Sequence, residues 1–265
     1  MNLARLGRLG LPLVAGIAVL FIGLPCLALL LGIGTADIRA AWSQSDIIDA
    51  LALSAQTSLI ALALCLLLGT PAAYLLARVD FPGKRLVEAV LLLPLVLPPV
   101  VGGVALLMAF GRHGLLGRTL GAFGIEIPFT ILAVILAQVF MAMPFFIQAA
   151  KAGFQGVPRH LEEASRTLGV GETMTFLRVT APLSWPALVS GAVLCWGRAL
   201  GEFGATIMFA GNIRGVTRTM PLAILTAMQG DLGEAVVLAV ILLIFSTFVF
   251  LTTNWLIGRY GLKQA

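Results

Sequence analysis

Charged side chains are scarce in this 265-residue chain, where Asp, Glu, Lys and Arg together make up only 11% of the residues. Soluble domains carry roughly 25% charged residues, so the low charge excludes an ordinary soluble domain. The chain has only two histidines and three cysteines, and each cysteine lies in an apolar run without metal-ligand spacing. The hydrolase pattern G-x-S-x-G and the zinc-protease pattern H-E-x-x-H are absent. The sequence therefore predicts neither a catalytic residue nor a metal site.

Apolar residues are abundant instead: they make up 60% of the chain, whose mean hydropathy is +1.04. The first long apolar run, 11–33, rises about 34 Å as a helix, which is enough to cross the hydrocarbon core of a bilayer. It is also longer than the apolar region of a signal peptide, about 7–15 residues, so we expect a retained helix. Six such runs predict an all-α integral membrane protein with a single transmembrane domain over residues 1–265. Their approximate bounds are 11–33, 51–77, 86–110, 128–150, 182–211 and 233–257.

The basic residues are distributed unequally between the two sides of this predicted bundle. Counting alternate loops from the N-terminus places eleven of the 17 Lys and Arg residues on the side of the two termini and five on the other, with Arg198 inside a span. Cytoplasmic loops of membrane proteins carry an excess of Lys and Arg. We therefore expect both termini and the loop 151–181 in the cytoplasm. We interpret the formal net charge of +5 as this bias rather than as a surface that binds nucleic acid.

Three prolines and two glycines interrupt the third apolar run: Pro94, Pro98, Pro99, Gly102 and Gly103. Proline has no backbone N–H and cannot continue an unbroken ladder of helical hydrogen bonds. Such residues are tolerated in membrane helices where neighbouring helices or a water-filled cavity satisfy the freed groups. The pattern predicts either a kinked packing helix or a segment that lines a binding cavity.

The longest charged interruption between two apolar runs is the stretch 157–182. Pro158 is suited to the first turn of a helix, and Gly169 to a left-handed C-cap. Between them, small or apolar residues recur at i, i+3, i+4 and i+7, namely Leu161, Ala164, Ser165 and Leu168. The spacing predicts a short amphipathic helix at the membrane surface. Such a helix either contacts a soluble partner or only covers the end of the bundle.

This stretch is similar to the EAA motif of ABC importer permeases. The match runs Glu163-Ala164-Ser165, three residues, Gly169, nine residues, Val179, two residues, Pro182. Ser165, Val179 and Ala181 replace the Ala, Ile and Leu of the family pattern. The resemblance implies the six-helix, MetI-like fold of type I ABC importer permeases, and a coupling helix that docks on a cytoplasmic ATPase. The residues expected at this coupling contact are Arg159, Leu161, Glu163, Ala164, Ser165, Leu168 and Gly169.

A wider resemblance indicates the molybdate permeases within this family. The similar stretches are 76–85, 92–101, 198–212 and 217–224, and the resemblance covers about residues 50–257. It implies the permease subunit of an ATP-driven molybdate importer in the bacterial inner membrane, which forms the oxyanion pathway. The implied partners are a second copy of the chain, two ABC ATPase subunits, a periplasmic oxyanion-binding protein and membrane lipid. Sulfate, thiosulfate or tungstate is the alternative cargo.

The chain has no nucleotide-binding P-loop of its own, since Gly83-Lys84 is followed by Arg85 and the residue five before Gly83 is Arg78. We therefore expect no cofactor in this chain, and ATP hydrolysis by a separate subunit. An ion-driven secondary transporter is a further alternative. It would need no EAA-like loop and would usually show symmetry between its halves, whereas the sequence shows no clear internal repeat.

Two opposite charges, Arg198 and Glu202, lie near the middle of the predicted fifth span. A charge at that depth is costly and is expected to face a partner in the bundle interior or a cavity. The i, i+4 spacing places both side chains on one helix face within reach of each other. The pair is either part of the translocation pathway, where Arg198 attracts an oxyanion, or a structural ion pair that fastens the span to a neighbour.

A polar loop on the side opposite the termini carries cations, hydroxyls and an amide in close succession: Asn212, Arg214, Thr217, Arg218 and Thr219. These groups are suited to contact a tetrahedral dianion or an acidic face of a binding protein. The alternative is a solvated turn without a ligand.

Overall fold

The computed structural model describes the backbone of residues 3–34 and 46–261, and the side chains of residues 12–34 and 47–252. Arg39 and Lys263, two of the basic residues in the sidedness count, lie outside the described residues. Within the described ranges the regular structure is entirely helical. This confirms the all-α class predicted from the sequence.

Helices are expected in a chain whose peptide groups find no hydrogen-bond partner in lipid. In chain order they are α1 (Leu3–Leu31), α2 (Asp46–Arg78), α3 (Lys84–Leu92), α4 (Pro99–Phe110), α5 (Gly117–Ala122), α6 (Ile131–Gly156), α7 (Arg159–Thr167), α8 (Glu172–Thr175), α9 (Ala181–Leu200), α10 (Gly204–Phe209), α11 (Met220–Met228) and α12 (Leu232–Gly261). A 3-10 turn, Leu93–Leu95, follows α3, and a π-helical turn, Phe176–Thr180, joins α8 to α9.

Five segments of the described chain are long and apolar enough to cross a membrane. They are Pro12–Leu31, Ile47–Arg78, Ile131–Gly156, Glu172–Leu200 and Leu232–Thr252. The bent pair formed by α3, its 3-10 turn and α4 gives a sixth span when it is counted as one. The segment Ile131–Gly156 is longer than the predicted run 128–150, because α6 continues to Gly156.

Helices α2, α6 and α9 pack side by side at the centre of the bundle. The ring of Phe146 on α6 lies between two glycines. A Cβ atom added at Gly69 of α2 would stand 2.8 Å from its Cδ1, and one added at Gly191 of α9 would stand 3.4 Å from its Cδ2. Close van der Waals packing of this kind holds membrane helices together, because lipid provides no hydrophobic force between them. Cys65 and Cys195 are buried in the same core, as their apolar runs predict.

The third predicted span, 86–110, consists of two helices whose directions differ by 116°. Pro94 lies in the 3-10 turn, Pro98 is the N-cap residue of α4 with ψ of 135°, and Pro99 is the first helical residue. A residue before proline is restricted to extended conformations, and proline at the first helical position sacrifices no hydrogen bond. The Pro98-Pro99 pair therefore ends one helix and starts another, which is a larger change of direction than the kink considered from the sequence.

The fifth predicted span, 182–211, also differs from the structure. Its helix starts earlier, because α8, the π turn and α9 run without interruption from Glu172 to Leu200. It also ends earlier, at Leu200, and the separate helix α10 begins at Gly204. The chain between them is the second interruption of an apolar segment.

The two interruptions lie against each other where α4 crosses α10. A Cβ atom added at Gly103 would stand 2.7 Å from the carbonyl oxygen of Ala205 and 2.7 Å from Cβ of Met208. One added at Gly204 would stand 2.8 Å from Cβ of Pro99. Real Cβ atoms do not approach other atoms so closely, so the crossing depends on glycine at both positions.

We expect Gly103→Ala to destabilise the bundle, because the added methyl group would collide with the main chain of Ala205. The expected loss in the free energy of unfolding is about 1–3 kcal/mol, as at other overpacked positions. Gly197→Ala is the matched control, since Gly197 lies in α9 and an added Cβ would have no side chain or neighbouring helix within 4 Å. Thermal unfolding of both variants in the same detergent measures the difference. Equal stability of the two variants would contradict the close crossing of α4 and α10.

Candidate functional site

The charged stretch between α6 and α9 contains the predicted short helix, α7. Pro158 is its N-cap residue, one position before the first helical residue. Gly169, which follows the helix, has φ of +81°, the left-handed conformation that favours glycine. The N–H of Val170 donates to the carbonyl of Ser165 at 3.2 Å and closes the C-terminal turn. Pro158 and Gly169 therefore set the ends of α7.

One face of α7 and its C-cap carries apolar side chains that are open to solvent. We call Leu161, Ala164 and Leu168 the outer face of α7. Leu168 is 83% exposed and Leu161 is 37% exposed. Charged Arg159 and Glu163 are exposed beside them. Exposed apolar side chains with a polar surround are typical of a surface that binds another protein.

Ser165 does not share this face, although the sequence pattern placed it there. Its side chain is half-buried, and its hydroxyl oxygen lies 2.9 Å from that of Thr175 in α8. The other predicted coupling residues are exposed: Arg159, Leu161, Glu163, Ala164, Leu168 and Gly169. The predicted set is therefore divided between the outer face and the contact of α7 with α8.

The side of α7 that faces the membrane bundle holds Glu162, which is 2% exposed. Its Oε1 atom accepts hydrogen bonds from Nε of Arg78 at 3.1 Å and from the hydroxyl of Thr180 at 2.7 Å. Nη2 of Arg78 lies 2.9 Å from the same oxygen and donates to the carbonyl of Val157 at 2.8 Å. Arg78 ends α2 and Thr180 ends the π turn before α9. We call Glu162, Arg78 and Thr180 the Glu162 cluster, which joins α7 to two membrane helices.

Glu162 is not among the predicted site residues, because the sequence does not distinguish it from the adjacent Glu163, to which the family resemblance points. Helical spacing indicates the position of Glu162 only once the structure has shown that Ser165 faces inward. Glu162 and Ser165 are three residues apart and therefore share a face, and Ser165 is the residue that departs from the outer face. A carboxylate on the inner side of a surface helix requires a partner, which Arg78 supplies from a distant part of the chain.

Three aromatic rings pack together one helical turn from the Glu162 cluster. Tyr74 of α2, Phe154 of α6 and Phe176 of the π turn lie with ring centroids 5.1 to 5.7 Å apart in edge-to-face arrangements. Such arrangements add stability beyond the area that they bury. Tyr74 precedes Arg78 by four residues, and Phe176 precedes Thr180 by four. The rings therefore hold in place the two segments that supply the partners of Glu162.

Further ion pairs lie near the same end of the bundle. In the turn between α2 and α3, Lys84 donates to Asp80 at 2.8 Å. This hydrogen bond is the main reason why the pKa of Asp80 is lowered, and the charges of Lys84 and Arg159 act in the same direction. Lys151 of α6 pairs with Glu88 of α3. Charged residues thus gather at the end of the bundle that carries α7.

Arg198 and Glu202 form the ion pair that their spacing predicts, with Nη1 of Arg198 2.5 Å from Oε2 of Glu202. Their position differs from the prediction, because α9 ends at Leu200 and the pair lies at the interruption instead of mid-helix. Glu202 is fully buried, and its Oε1 atom accepts a hydrogen bond from the N–H of Ala205 at 2.8 Å. The carboxylate therefore satisfies a free N–H group in the first turn of α10.

The loop after α10 is largely bonded to itself. Thr217 and Thr219 are buried, in contrast to the exposed hydroxyls expected for a ligand-binding loop. The hydroxyl of Thr217 accepts from the N–H of Ile213 at 3.0 Å. Nε of Arg218 donates to Asn212 at 3.0 Å, and the amide of Asn212 donates to the hydroxyl of Thr226 in α11 at 2.9 Å. The Thr217 hydroxyl therefore shapes the loop, and the Asn212 amide attaches it to α11.

The hollow beside Arg214 and Arg218 is small, with a volume of about 30 Å³. Arg218 also borders a larger hollow of about 140 Å³, beside Asp231 and Glu234. Within the described part of the chain, no group of three or more His, Cys, Asp or Glu side chains is placed to hold a metal ion.

Comparison with known proteins shows the family to which the chain belongs. The sequence profile of the family described as "binding-protein-dependent transport system inner membrane component" matches residues 67–260. The chain is 42% identical over 241 residues to the molybdenum transport system permease protein ModB of Mycobacterium tuberculosis, covering 91% of this chain and 90% of the relative. It is 43% identical over 211 residues to ModB of Escherichia coli K12, covering 78% of this chain and 92% of the relative.

The fold is also similar to a solved structure. The solved structure is the crystal structure of a bacterial ABC transporter involved in the import of the acidic polysaccharide alginate. One of its chains aligns with this chain with a TM-score of 0.77 and 16% identity, and the alignment covers 97% of this chain and 96% of that one. The chain therefore belongs to the family of inner membrane components of binding-protein-dependent transport systems, and it is a multi-pass membrane protein with the type I ABC importer permease fold.

Proposed function

We propose that this chain is the permease subunit of an ATP-driven molybdate importer. The observation that carries the proposal is the outer face of α7, an exposed apolar patch on a helix that is bonded to the membrane bundle. Two relatives that cover most of the chain are named as molybdenum permeases, which supports molybdate as the cargo.

A separate ATPase subunit occupies the outer face of α7. The chain carries no P-loop, so the energy of ATP must reach it through a contact with another protein. Leu161, Ala164 and Leu168 supply an apolar centre to this contact, while Arg159 and Glu163 supply a charged rim. An apolar centre with a polar rim is the usual composition of a protein interface.

The other partners follow from the same arrangement. Two copies of the chain enclose the oxyanion pathway, and each copy binds one ATPase. A periplasmic binding protein delivers the oxyanion to the opposite end of the bundle. The excess of basic residues on the side of α7 and both termini supports a cytoplasmic position for all three.

The Arg198–Glu202 pair fixes the interruption between α9 and α10 rather than holding the cargo. This role is supported by the hydrogen bond from the N–H of Ala205 to Glu202, because that bond makes the carboxylate part of the turn. Arg198 is already paired, so it presents no strong fixed site that would slow the release of an oxyanion.

In the transport cycle, ATP binding draws the two ATPases together and displaces both α7 helices. The permease pair then opens towards the binding protein and accepts the oxyanion, and hydrolysis returns it to the inward-facing state. Such a cycle is a switch between two packed states of the bundle. It requires that α7 moves as one body with the helices to which it is bonded.

Ala164→Asp should disrupt the contact with the ATPase while the permease remains folded. A carboxylate buried in an apolar contact weakens binding by about 2 kcal/mol, which corresponds to about 30-fold in affinity. Co-purification with the ATPase and molybdate uptake into liposomes measure the effect. Gln155→Glu is the matched control, because Gln155 is exposed in the last turn of α6 and the change adds the same charge. Normal assembly and uptake by Ala164→Asp would refute the contact.

The choice of oxyanion is tested with the reconstituted permease, its ATPase and its binding protein. Molybdate and tungstate, which are similar in size and charge, should both stimulate ATP hydrolysis in liposomes. Sulfate, which is smaller, should stimulate it at least about 10-fold less, a difference of about 1.4 kcal/mol in recognition. Stimulation by sulfate alone would assign the chain to sulfate import instead.

Arg198→Met should lower stability more than it lowers transport. The variant leaves the carboxylate of Glu202 without its partner, and breaking a fully buried pair costs about 3–5 kcal/mol. Since the Arg198 side chain is 24% exposed, we expect about 2–3 kcal/mol here. Thermal unfolding and uptake per folded complex separate the two effects, and Arg198→Met/Glu202→Gln should recover part of the stability. A stable Arg198→Met variant that transports poorly would instead place Arg198 in the oxyanion pathway.

A further inference from the structure

The Glu162 cluster is more than a docking helix requires. An ATPase needs only the outer face of α7, and an apolar inner face would be enough to seat the helix on the bundle. The inner face instead carries a carboxylate that is 2% exposed and bonded to both α2 and the start of α9. The structure therefore contains a specific connection between the docking helix and two membrane helices.

We propose that Glu162 is a positioning residue for energy coupling. Through Arg78 and Thr180 it holds α7 in a fixed place relative to α2 and α9, so that a displacement of α7 moves both membrane helices together. This inference rests on the proposed function, because it concerns how the movement of an ATPase reaches the oxyanion pathway.

The geometry of the cluster supports a fixed position. Both partners bind the same atom, Oε1 of Glu162, at 3.1 Å for Nε of Arg78 and 2.7 Å for the Thr180 hydroxyl. Hydrogen bonds weaken steeply when the donor and acceptor separate or lose alignment. A shift of α7 relative to either membrane helix would therefore break a bond, whereas a common movement of all three would keep both.

Arg78 extends the connection to the start of α7. Its Nη2 atom donates to the carbonyl of Val157, in the link between α6 and α7, at 2.8 Å. The other carboxylate oxygen of Glu162 faces the half-exposed Arg166 at 3.9 Å, so the cluster keeps an arginine on each side of the carboxylate. The hydrogen bonds that Arg78 donates to Glu162 and to Val157 are charge-assisted and directional.

Stability alone does not account for this choice of residues. Apolar residues of similar volume often stabilise a protein as well as a buried ion pair does, but apolar contacts are non-directional. Charge-assisted hydrogen bonds specify both distance and angle. A buried carboxylate with directional partners therefore fixes the position of α7 relative to α2 and α9, which an apolar contact would not do.

The first test is Glu162→Gln in the reconstituted complex, which keeps the size of the side chain and removes its charge. The outer face of α7 is unchanged, so the ATPase should still co-purify. Molybdate transported per ATP hydrolysed should fall by about 5-fold or more, the lower end of typical coupling effects. Glu172→Gln is the matched control, since Glu172 is exposed in α8 and loses the same charge. Its ratio of transport to hydrolysis should equal that of the wild type.

A second variant distinguishes a loss of coupling from a loss of folding. Arg78→Leu/Glu162→Leu removes the whole ion pair without leaving a buried charge, so it should fold and bind the ATPase. Its transport per ATP should also fall. A wild-type ratio in either assembled variant would overturn the proposal, as would lower thermal stability with an unchanged ratio. Loss of ATPase binding in both variants would overturn it too, because Glu162 would then serve docking.

The proposed function itself is judged on the wild type in the same experiment. If the wild-type chain neither binds an ATPase nor responds to a loaded binding protein, the importer assignment fails, and the positioning role fails with it. If the wild type transports and the variants keep its coupling ratio, only the positioning role fails.

Discussion

Lipid offers no hydrogen-bond partner to a peptide group, and the rest of the structure depends on this constraint. It explains why α2 and α6 run long and unbroken, and also why the two interruptions in apolar segments lie against each other. At the crossing of α4 and α10, Gly103 and Gly204 allow the main chains of the two helices to come into contact. The carboxylate of Glu202 accepts the N–H of Ala205 that the break releases. Protein groups thus replace the water that is missing.

The same constraint applies to charge, and the two buried carboxylates meet it in parallel ways. Glu202 binds Arg198 and a backbone N–H; Glu162 binds Arg78 and a hydroxyl. The difference lies in sequence distance. The partners of Glu202 are within four residues, so that carboxylate shapes a single turn. Arg78 is 84 residues from Glu162, so this carboxylate joins separate parts of the chain. A buried carboxylate with nearby partners thus shapes one turn, whereas one with a distant partner connects separate helices.

Patterns that depend on nearby residues were predictable. Hydropathy located the apolar segments, prolines marked the interruption between α3 and α4, and helical spacing with Gly169 marked α7. Patterns that depend on distant residues were not. No proline stands at the interruption after Leu200, which is shaped by the bonds of Glu202. Burial separates Glu162 from Glu163 only because α2 ends beside α7. The buried Thr217 likewise follows from the folded loop and not from its composition.

Helix α7 has the reverse of the usual amphipathic arrangement, in which the apolar face is buried and the charged face is exposed. Here Glu162 is buried and Leu168 is exposed. Contact with an ATPase would bury the apolar outer face without disturbing any bond on the inner face, because the two faces share no side chain. The exposed apolar residues of α7 are therefore different from the residues that connect it to α2 and α9. If α7 docks on an ATPase through its outer face, a change in the strength of docking would leave the bonds of Glu162 intact.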